Sequence, residues 1–313
     1  MRKLLILSLL LLPLLFSCSR AEDGKDEGRL RITALNFPCY DAARAVVSDS
    51  ADLQMLIPPG SEVHDWEPSP DDIIRILSSD LFIYVGGESD EWVRRILGDM
   101  DGSVAVFSLI EHSPVVLEEE TKEGMQSDGH AHDEHGHKLE DEHVWTSLEN
   151  MAAIIKDLAG VISSIDGENR GYYEENASSY IESILELRDD MEDVVRNAER
   201  NLIVVADRFP LLYFANEFSL SYYAAFPGCA SGTEPSARTV AFLIDKVKEE
   251  NIPAVLHIEL SNTLLASLIA EETGAKVYEI NSAQNISRRD FERGVTYVDI
   301  MQENLEVLKE VLN

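Results

Sequence analysis

Residues 168–199 read ENRGYYEENASSYIESILELRDDMEDVVRNAE, and this stretch decides the architecture of the chain. Its apolar side chains recur at spacings of three and four residues, which is the period of one face of an α-helix. They are Tyr173, Ala177, Tyr180, Ile181, Ile184, Leu187, Met191, Val194 and Ala198. About thirty helical residues span ~45 Å, since each residue adds about 1.5 Å. A small domain needs no helix of that length, so we predict a spine that joins two lobes.

Short apolar runs alternate with amphipathic segments on both sides of this helix. Strands are predicted at residues 30–37, 53–57, 81–85, 104–107, 202–206, 221–226, 254–258 and 276–280. Helices are predicted at residues 41–47, from Ser69 through Leu77, and at 91–97, 148–165, 210–218, 236–249, 263–273 and 297–312. Strands that alternate with helices indicate a mainly parallel sheet covered on both faces. The fold class is therefore α/β, with two lobes and mainly parallel sheets joined by a long backbone helix.

The lobes have boundaries that follow from this pattern. We expect an N-terminal lobe at 29–147, linking helices at 148–200 and a C-terminal lobe at 201–313. In open α/β sheets, ligands bind at the carboxyl ends of the strands. A cleft between the two lobes is therefore the place to look for a site.

Residues 1–18 have the character of a targeting segment. A basic start at Met1-Arg2-Lys3 precedes an apolar run from Leu4 to Phe16 that is too short to span a bilayer comfortably. Residues 15–18, LFSC, resemble the processing box of bacterial lipoproteins, which would make Cys18 the lipidated first residue of an extracytoplasmic, membrane-anchored protein. An ordinary secretory signal with a chance cysteine is the alternative. Residues 19–28 are small, charged and non-periodic, as in a tether.

The net charge excludes some partners. The chain of 313 residues carries 58 acidic and 26 basic residues, a formal charge of −32. Such a chain repels nucleic acid phosphates and anionic lipid surfaces, so we expect neither as a partner. Two cysteines remain beyond Cys18. Cys39 and Cys229 could form a disulfide, remain as buried thiols or ligate a metal, and the sequence leaves all three open.

Histidines concentrate in one acidic loop. Five of the eight histidines lie between residues 130 and 143, at positions 130, 132, 135, 137 and 143. Neutral imidazole suits zinc and similar cations, so a tract of this kind indicates metal handling. A solvated, inert loop is the alternative for residues 111–141, much of which we expect to be mobile. His143 differs, because Val144 and Trp145 return the chain to apolar packing and hold it in place.

Polar residues also follow the predicted strands in both halves. They are His64, His143, Asp207, Glu259 and Asn281. Two imidazoles with one or two carboxylates make a plausible site for zinc or manganese. The alternatives are structural: His64 could cap a helix, while Asp207 and Glu259 could pair with Arg208, Arg238 or a helix N-terminus.

An ordered set of motifs carries a resemblance over residues 30–313. The set comprises Gly60-x-x-x-His64-x-x-x-Pro68, the His-rich loop, His143-Val144-Trp145, the long helix, Ile258-Glu259 and Gly294-Val295-Thr296-Tyr297. The chain resembles the solute-binding lipoproteins of ABC importers for zinc and manganese. The resemblance implies two Rossmann-like lobes, a rigid linking helix and one divalent cation held between the lobes.

The ligands that the resemblance implies match this chain unevenly. His64 and His143 fall on the family's first two ligands. The third falls near Ala206, which cannot ligate, and Asp207 is the nearest substitute. The fourth falls near Asn281, and where related sequences tend to have histidines, Asn281 and Gln284 are both amides. Glu259 could compensate, as could His135 or His137 from the loop.

Three functions remain open on the sequence. The favoured one is a monomeric receptor that captures zinc, or next manganese, and delivers it to an ABC permease. A surface adhesin or metal sensor with a weakened site is the alternative. A metallohydrolase, with Glu62, Glu67 or Glu259 as base, is disfavoured because the sequence contains no nucleophile elbow, phosphate loop or His-Glu-x-x-His helix. We therefore expect no enzyme.

Overall fold

The computed structural model describes residues 28–61, 63, 66–98, 102–126, 139–228, 230 and 234–313. The predicted signal segment, almost all of the tether, Cys18, His64, Cys229 and the four histidines at 130–137 lie outside the described residues. Cys39 is a free thiol, fully buried in the first helix.

The N-terminal lobe is built on four parallel strands in the order β2-β1-β3-β4. The strands are β1 (Arg31–Ala34), β2 (Asp52–Met55), β3 (Leu81–Tyr84) and β4 (Ala105–Ser108), and the helices are α1 (Phe37–Val47), α2 (Pro70–Leu77) and α3 (Glu91–Gly98). Helix α1 begins four residues earlier than predicted. Asn36 caps it by accepting a hydrogen bond from the Cys39 backbone N–H, and Pro38 suits the first turn. Strand β1 is shorter for the same reason.

Two helices connect the lobes. They are α4 (Leu148–Ile165) and α5 (Arg170–Asn197), the latter 28 residues long. The predicted apolar face of α5 faces the core, where Tyr173, Ile184 and Met191 are fully buried. The predicted spine is thus present, and α4 has the predicted limits.

The C-terminal lobe repeats the plan with parallel strands in the order β6-β5-β7-β8. The strands are β5 (Leu202–Phe209), β6 (Ser221–Pro227), β7 (Ala254–Ile258) and β8 (Lys276–Ile280). The helices are α6 (Leu212–Glu217), α7 (Ala237–Glu249), α8 (Leu264–Thr273), α9 (Arg288–Glu292) and α10 (Tyr297–Val311). The sequence did not predict α9, which Ser287 caps.

The position predicted for Asp207 was wrong. We expected Asp207 just past the carboxyl end of its strand, but β5 continues to Phe209. The extension arises because β5 pairs with β6 again at Arg208–Phe226 and Phe209–Pro227, after a register shift beyond Val205. Asp207 therefore lies inside the strand.

The two parallel sheets and the long joining helix confirm the predicted α/β architecture of two Rossmann-like lobes. The two lobes also share a core. One buried cluster includes residues of β1, α4, α5, β5 and α10, and a smaller one lies within the C-terminal lobe. Within the described residues, no helix combines the length and apolar character needed to cross a bilayer.

Both described ends of the His-rich loop are anchored by backbone hydrogen bonds. The Glu119 N–H donates to the Leu139 carbonyl oxygen at 2.8 Å, and the Asp141 N–H donates to the Leu117 carbonyl oxygen at 2.8 Å. Further along, the Gln126 N–H donates to the carbonyl oxygen of Ala225 in β6 at 2.9 Å. Backbone hydrogen bonds therefore attach this segment to itself and to the C-terminal lobe.

Candidate metal-binding cleft

A small cavity lies between the lobes, at the carboxyl ends of the strands. Its volume is ≈ 20 Å³, which is room for about one water-sized particle. Side chains from both halves of the chain line it, namely Leu35, Asn36, Ile57, Val63, Trp66, Val85, Ser89, Asp90, Trp92, Glu142, His143, Trp145 and Gln284. A cavity of this size with an imidazole and carboxylates suits a single ion better than an organic ligand.

His143 lines this cavity and is fully buried. Its Nδ1 lies 3.0 Å from Asp141 Oδ1, and the same oxygen accepts the His143 backbone N–H at 2.9 Å. A carboxylate on one ring nitrogen fixes the tautomer and makes the other nitrogen the metal ligand. A Cβ added at Gly228, just after β6, would lie 3.1 Å from His143 Cε1. The C-terminal lobe therefore closes directly over the imidazole.

The electrostatics around the imidazole favour a cation. Burial lowers the pKa of His143, but the charges of Asp141, Glu142 and Glu119 outweigh burial and raise that pKa above its ordinary value. Burial raises the pKa of Glu142, although the Ser89 N–H donates to its carboxylate at 2.7 Å. Burial also raises the pKa of Asp90 to about 7. The three carboxylates whose charges act on His143, those of Asp141, Glu142 and Glu119, create a region of negative potential that a divalent cation would neutralise.

Gln284 is the side chain that the C-terminal lobe contributes to the cavity. It lies in the loop after β8, and sequence reasoning noted its amide but did not include it among the candidate ligands. An amide carbonyl oxygen carries no charge, so its residue type gave no signal. Its position in the sequence did indicate a ligand, because the family resemblance pointed to residues 281–284.

Glu259 and Asn281, both predicted ligands, use their oxygens to hold that loop. The Glu259 carboxylate accepts from the Ser282 N–H at 2.8 Å, from the Ser282 hydroxyl and from the Gln284 N–H at 3.3 Å. Asn281 Oδ1 accepts the Ala283 N–H at 2.8 Å. Burial raises the pKa of Glu259, while the bonds from Ser282 oppose that rise. Both residues support the segment that brings Gln284 to the cleft.

Asp207 and His64 complete the predicted set. Asp207 Oδ1 accepts the N–H of Arg208 at 2.8 Å, and Asp207 is not among the residues that line the cavity. His64 lies outside the described residues, although Val63 and Trp66, close to it in sequence, both line the cavity. In the part of the chain that the structure describes, no three His, Cys, Asp or Glu side chains gather as a metal site. The structure thus brings His143 and Gln284 together and leaves Asp207, Glu259 and Asn281 out of the cavity or engaged elsewhere.

Hydrogen bonds between the lobes fix the cleft in this arrangement. Trp145 Nε1 donates to the Ser282 carbonyl oxygen at 2.8 Å, and Asn285 Nδ2 donates to the Ser61 carbonyl oxygen at 2.7 Å. Each bond joins a segment of the first half to the loop after β8. The loop after β8, which carries Gln284, is therefore joined directly to two segments of the N-terminal lobe.

Two parallel α/β lobes, a long joining helix and, between the lobes, an ion-sized cavity lined by one imidazole, two carboxylates and mainly apolar residues are the features of a solute-binding protein. The chain belongs to the family described as zinc-uptake complex component A, periplasmic, whose model matches residues 32–311. The resemblance given by the sequence motifs is thereby confirmed.

Relatives agree with this membership. The chain is 30% identical over 296 residues to the high-affinity zinc uptake system protein ZnuA of Bacillus subtilis, covering 95% of this chain and 91% of that protein. It is 28% identical to the zinc-binding lipoprotein AdcA of Streptococcus pneumoniae, covering 98% of this chain but only 60% of AdcA. The Zn(II)-bound ZnuA-like domain of AdcA is similar in structure, with a TM-score of 0.75, 25% identity and coverage of 91% and 99%. These relatives are named as metal-uptake or metal-binding proteins, and none of the three is named as an enzyme.

Proposed function

We propose that this protein captures one zinc ion in the inter-lobe cleft and delivers it to an ABC permease. The observation that carries the proposal is the cavity of ≈ 20 Å³ that holds the His143 imidazole, fixed by Asp141, together with Gln284. The names of the relatives support zinc as the cargo.

The ligands that we assign are His143, Gln284 and, from the loop next to Val63, His64. Two imidazoles favour zinc over manganese, which prefers oxygen ligands. The neutral amide of Gln284 adds no charge of its own, and the carboxylates of Asp141, Glu142 and Glu119, whose charges act on His143, supply the compensating charge. Glu259 and Asn281 act as supports for the loop that carries Gln284. We assign Asp207 no contact with the ion.

The location of the protein follows from its first residues. Export and lipidation at Cys18 would tether the binding lobes outside the cytoplasmic membrane, through residues 19–28. A tethered receptor can hand its cargo to a permease in the same membrane without diffusing away. The protein acts in this scheme as a monomer.

Uptake of radioactive zinc tests this proposal. Cells of the source organism that lack this chain should accumulate ⁶⁵Zn slowly at low external zinc, and the intact chain should restore uptake. Excess manganese should compete weakly, because the ligand set favours zinc. Unimpaired zinc uptake without the chain, together with impaired manganese uptake, would contradict the choice of zinc.

A further inference from the structure

Helix α6 of the C-terminal lobe contacts the segment that carries His143. Tyr213 and Glu217 lie four residues apart on α6 and share one face of that helix. Their side chains bind the two ends of residues 141–149, which include His143 and the start of α4. We call Tyr213 and Glu217 the α6 clasp.

The hydroxyl of Tyr213 holds the first end of this segment. Tyr213 is only 1% exposed. Its hydroxyl donates to the carbonyl oxygen of Asp141 at 2.6 Å and accepts the Leu117 N–H at 3.0 Å. Asp141 is also the residue whose carboxylate lies 3.0 Å from His143 Nδ1. A side chain of the C-terminal lobe therefore fixes the residue that orients the imidazole.

The carboxylate of Glu217 holds the other end. Its two oxygens accept the Leu148 N–H at 2.8 Å and the Glu149 N–H at 3.3 Å. Leu148 and Glu149 are the first two residues of α4, a helix of 18 residues. A carboxylate is favourable there, because the first N–H groups of a helix have no partner within the helix and carry its positive dipole end. The C-terminal lobe therefore also fixes the start of α4.

The chain between these two contacts leaves His143 little freedom. A 3-10 turn at Val144–Thr146 follows His143 directly. The His143 carbonyl oxygen accepts the Thr146 N–H at 3.0 Å and the Thr146 hydroxyl at 2.9 Å. Every residue from 141 to 148 is buried. The imidazole is thus held in place before a cation arrives, and a ligand that is already ordered loses less entropy on binding.

We propose that Tyr213 and Glu217 are positioning residues for the zinc ligand His143, so that the C-terminal lobe sets the position of a ligand that the N-terminal half supplies. Tyr213 acts through Asp141, and Glu217 acts through the start of α4. This inference rests on the proposed function, because it takes His143 as a ligand of zinc.

Two conservative variants each weaken one contact of the α6 clasp. Tyr213→Phe removes only the hydroxyl. Glu217→Gln keeps the shape of the side chain, but its NH₂ group cannot accept one of the two N–H groups at the start of α4. The matched control is Tyr222→Phe, because Tyr222 is also buried in the C-terminal lobe and its hydroxyl donates at 2.6 Å to Glu120, outside residues 141–149.

The ring ¹⁵N signals of His143 in the zinc-free protein report its position directly, and their loss in His143→Gln assigns them. We expect both clasp variants to shift these signals and Tyr222→Phe to leave them unchanged. Zinc affinity, measured by competition with a chelator, should fall roughly tenfold in both clasp variants, as when a partner of a metal ligand is lost. Tyr222→Phe should bind zinc like the wild type.

Urea unfolding of the zinc-free proteins separates positioning from general stability. Tyr213→Phe and Tyr222→Phe should lose similar stability, because each loses the hydrogen bonds of one hydroxyl. A fall in zinc affinity that is confined to the clasp variants then has its cause in the position of His143.

Three outcomes would contradict part of this account. Wild-type zinc affinity in both clasp variants would overturn the positioning role and leave the proposed function standing. An equal loss of zinc affinity in Tyr222→Phe would also overturn it, because lower stability alone would explain the loss. A wild-type protein that binds no zinc would overturn the proposed function, and unchanged His143 signals in the zinc-free clasp variants would overturn the positioning role independently of zinc.

Discussion

The indole of Trp145 and the backbone of Ser282 are joined across the two lobes, with Trp145 Nε1 donating to the Ser282 carbonyl oxygen at 2.8 Å. Trp145 is two residues from His143, and Ser282 is two residues from Gln284. The Tyr297 hydroxyl donates in turn to the Trp145 carbonyl oxygen at 2.8 Å. The two segments that bring polar side chains to the cavity are therefore tied directly to each other, and ion binding should depend on that tie.

Trp145→Phe tests the hydrogen bond between Trp145 and Ser282. The change removes the donor to Ser282. It also leaves a gap in the core, because the indole that the smaller ring replaces is only 1% exposed. We expect a loss of about 1–3 kcal/mol in the free energy of unfolding, from one hydrogen bond and incomplete filling. Urea denaturation of the zinc-free protein measures it. Tyr172→Phe on the exposed side of α5 is the control and should change stability by less than about 0.5 kcal/mol.

Asp141→Asn tests how the imidazole is oriented. The variant keeps the shape of the side chain but removes the charge that lies 3.0 Å from His143 Nδ1. Loss of such a carboxylate partner weakens metal binding by roughly 10–100-fold, and competition with a zinc chelator measures the change. Glu140→Gln removes a neighbouring exposed charge without touching the ring and should bind zinc like the wild type. Equal affinities for Asp141→Asn and the wild type would show that Asp141 does not prepare the ligand.

The pH dependence of stability tests the environment of Asp90. Its carboxylate accepts the N–H groups of Val85 and Gly86, yet burial raises its pKa from 3.8 to about 7. The folded state then holds the proton more tightly than the unfolded state, so this group's contribution to stability is present below pH ~4 and is lost as pH rises through 7.

Asp90→Asn keeps a neutral acceptor at the same place, so it should remove that pH dependence. As the pH rises from 4 to 8, the free energy of unfolding of the zinc-free wild type should fall by on the order of 2–4 kcal/mol relative to that of the variant. Chemical denaturation at several pH values measures the difference. A constant difference between the two proteins would mean that Asp90 is ionised throughout this range.

A buried network around Asp41 holds the lobes to the spine. Asp41 is fully buried and accepts hydrogen bonds from Arg44, from the Tyr180 hydroxyl and from the Tyr297 N–H at 2.9 Å. Arg44 also donates to the Val295 carbonyl oxygen at 2.8 Å. The network therefore links α1, α5 and the start of α10.

Asp41→Ala should be strongly destabilising, because it removes the carboxylate partner of the partly buried Arg44 and the acceptor of the Tyr180 hydroxyl. We expect the free energy of unfolding to fall by about 3–5 kcal/mol, as when a buried ion pair is broken. Asp157→Ala, which breaks the exposed pair with His112, should cost less than about 1 kcal/mol. Thermal or urea unfolding of the two variants distinguishes these outcomes, and equal losses would show that the Asp41 network does not hold the lobes together.

Periodicity predicted the architecture well because it reflects burial along each element. Helix α4 and strands β7 and β8 have the predicted limits, and the spine differs only by frayed ends. The predicted limits were wrong where local backbone hydrogen bonds determine the residue at which an element begins or ends. The cap at Asn36 moved the start of α1, and renewed pairing with β6 carried β5 past Asp207.

The site was harder to predict than the fold. Position after a strand pointed to His143, which lines the cavity, and to the loop after β8. A residue's position after a strand does not distinguish a metal ligand from a residue that stabilises the loop, because that depends on the direction in which its side-chain oxygen points. Glu259, just after β7, and Asn281, just after β8, both accept backbone N–H groups of the loop after β8, whereas Gln284 lines the cavity.

The measurement that tests the central claim most directly is the zinc content of three purified proteins after stripping and dialysis against low zinc. They are residues 19–313 of the wild type, the same chain with His143→Ala, and the same chain without residues 127–138. The deletion ends at Gln126 and Leu139 because both are anchored by backbone hydrogen bonds. We predict one equivalent in the wild type and in the deletion variant, and none with His143→Ala. One equivalent retained by His143→Ala, or lost with the loop, would contradict a zinc site in the cleft built on His143.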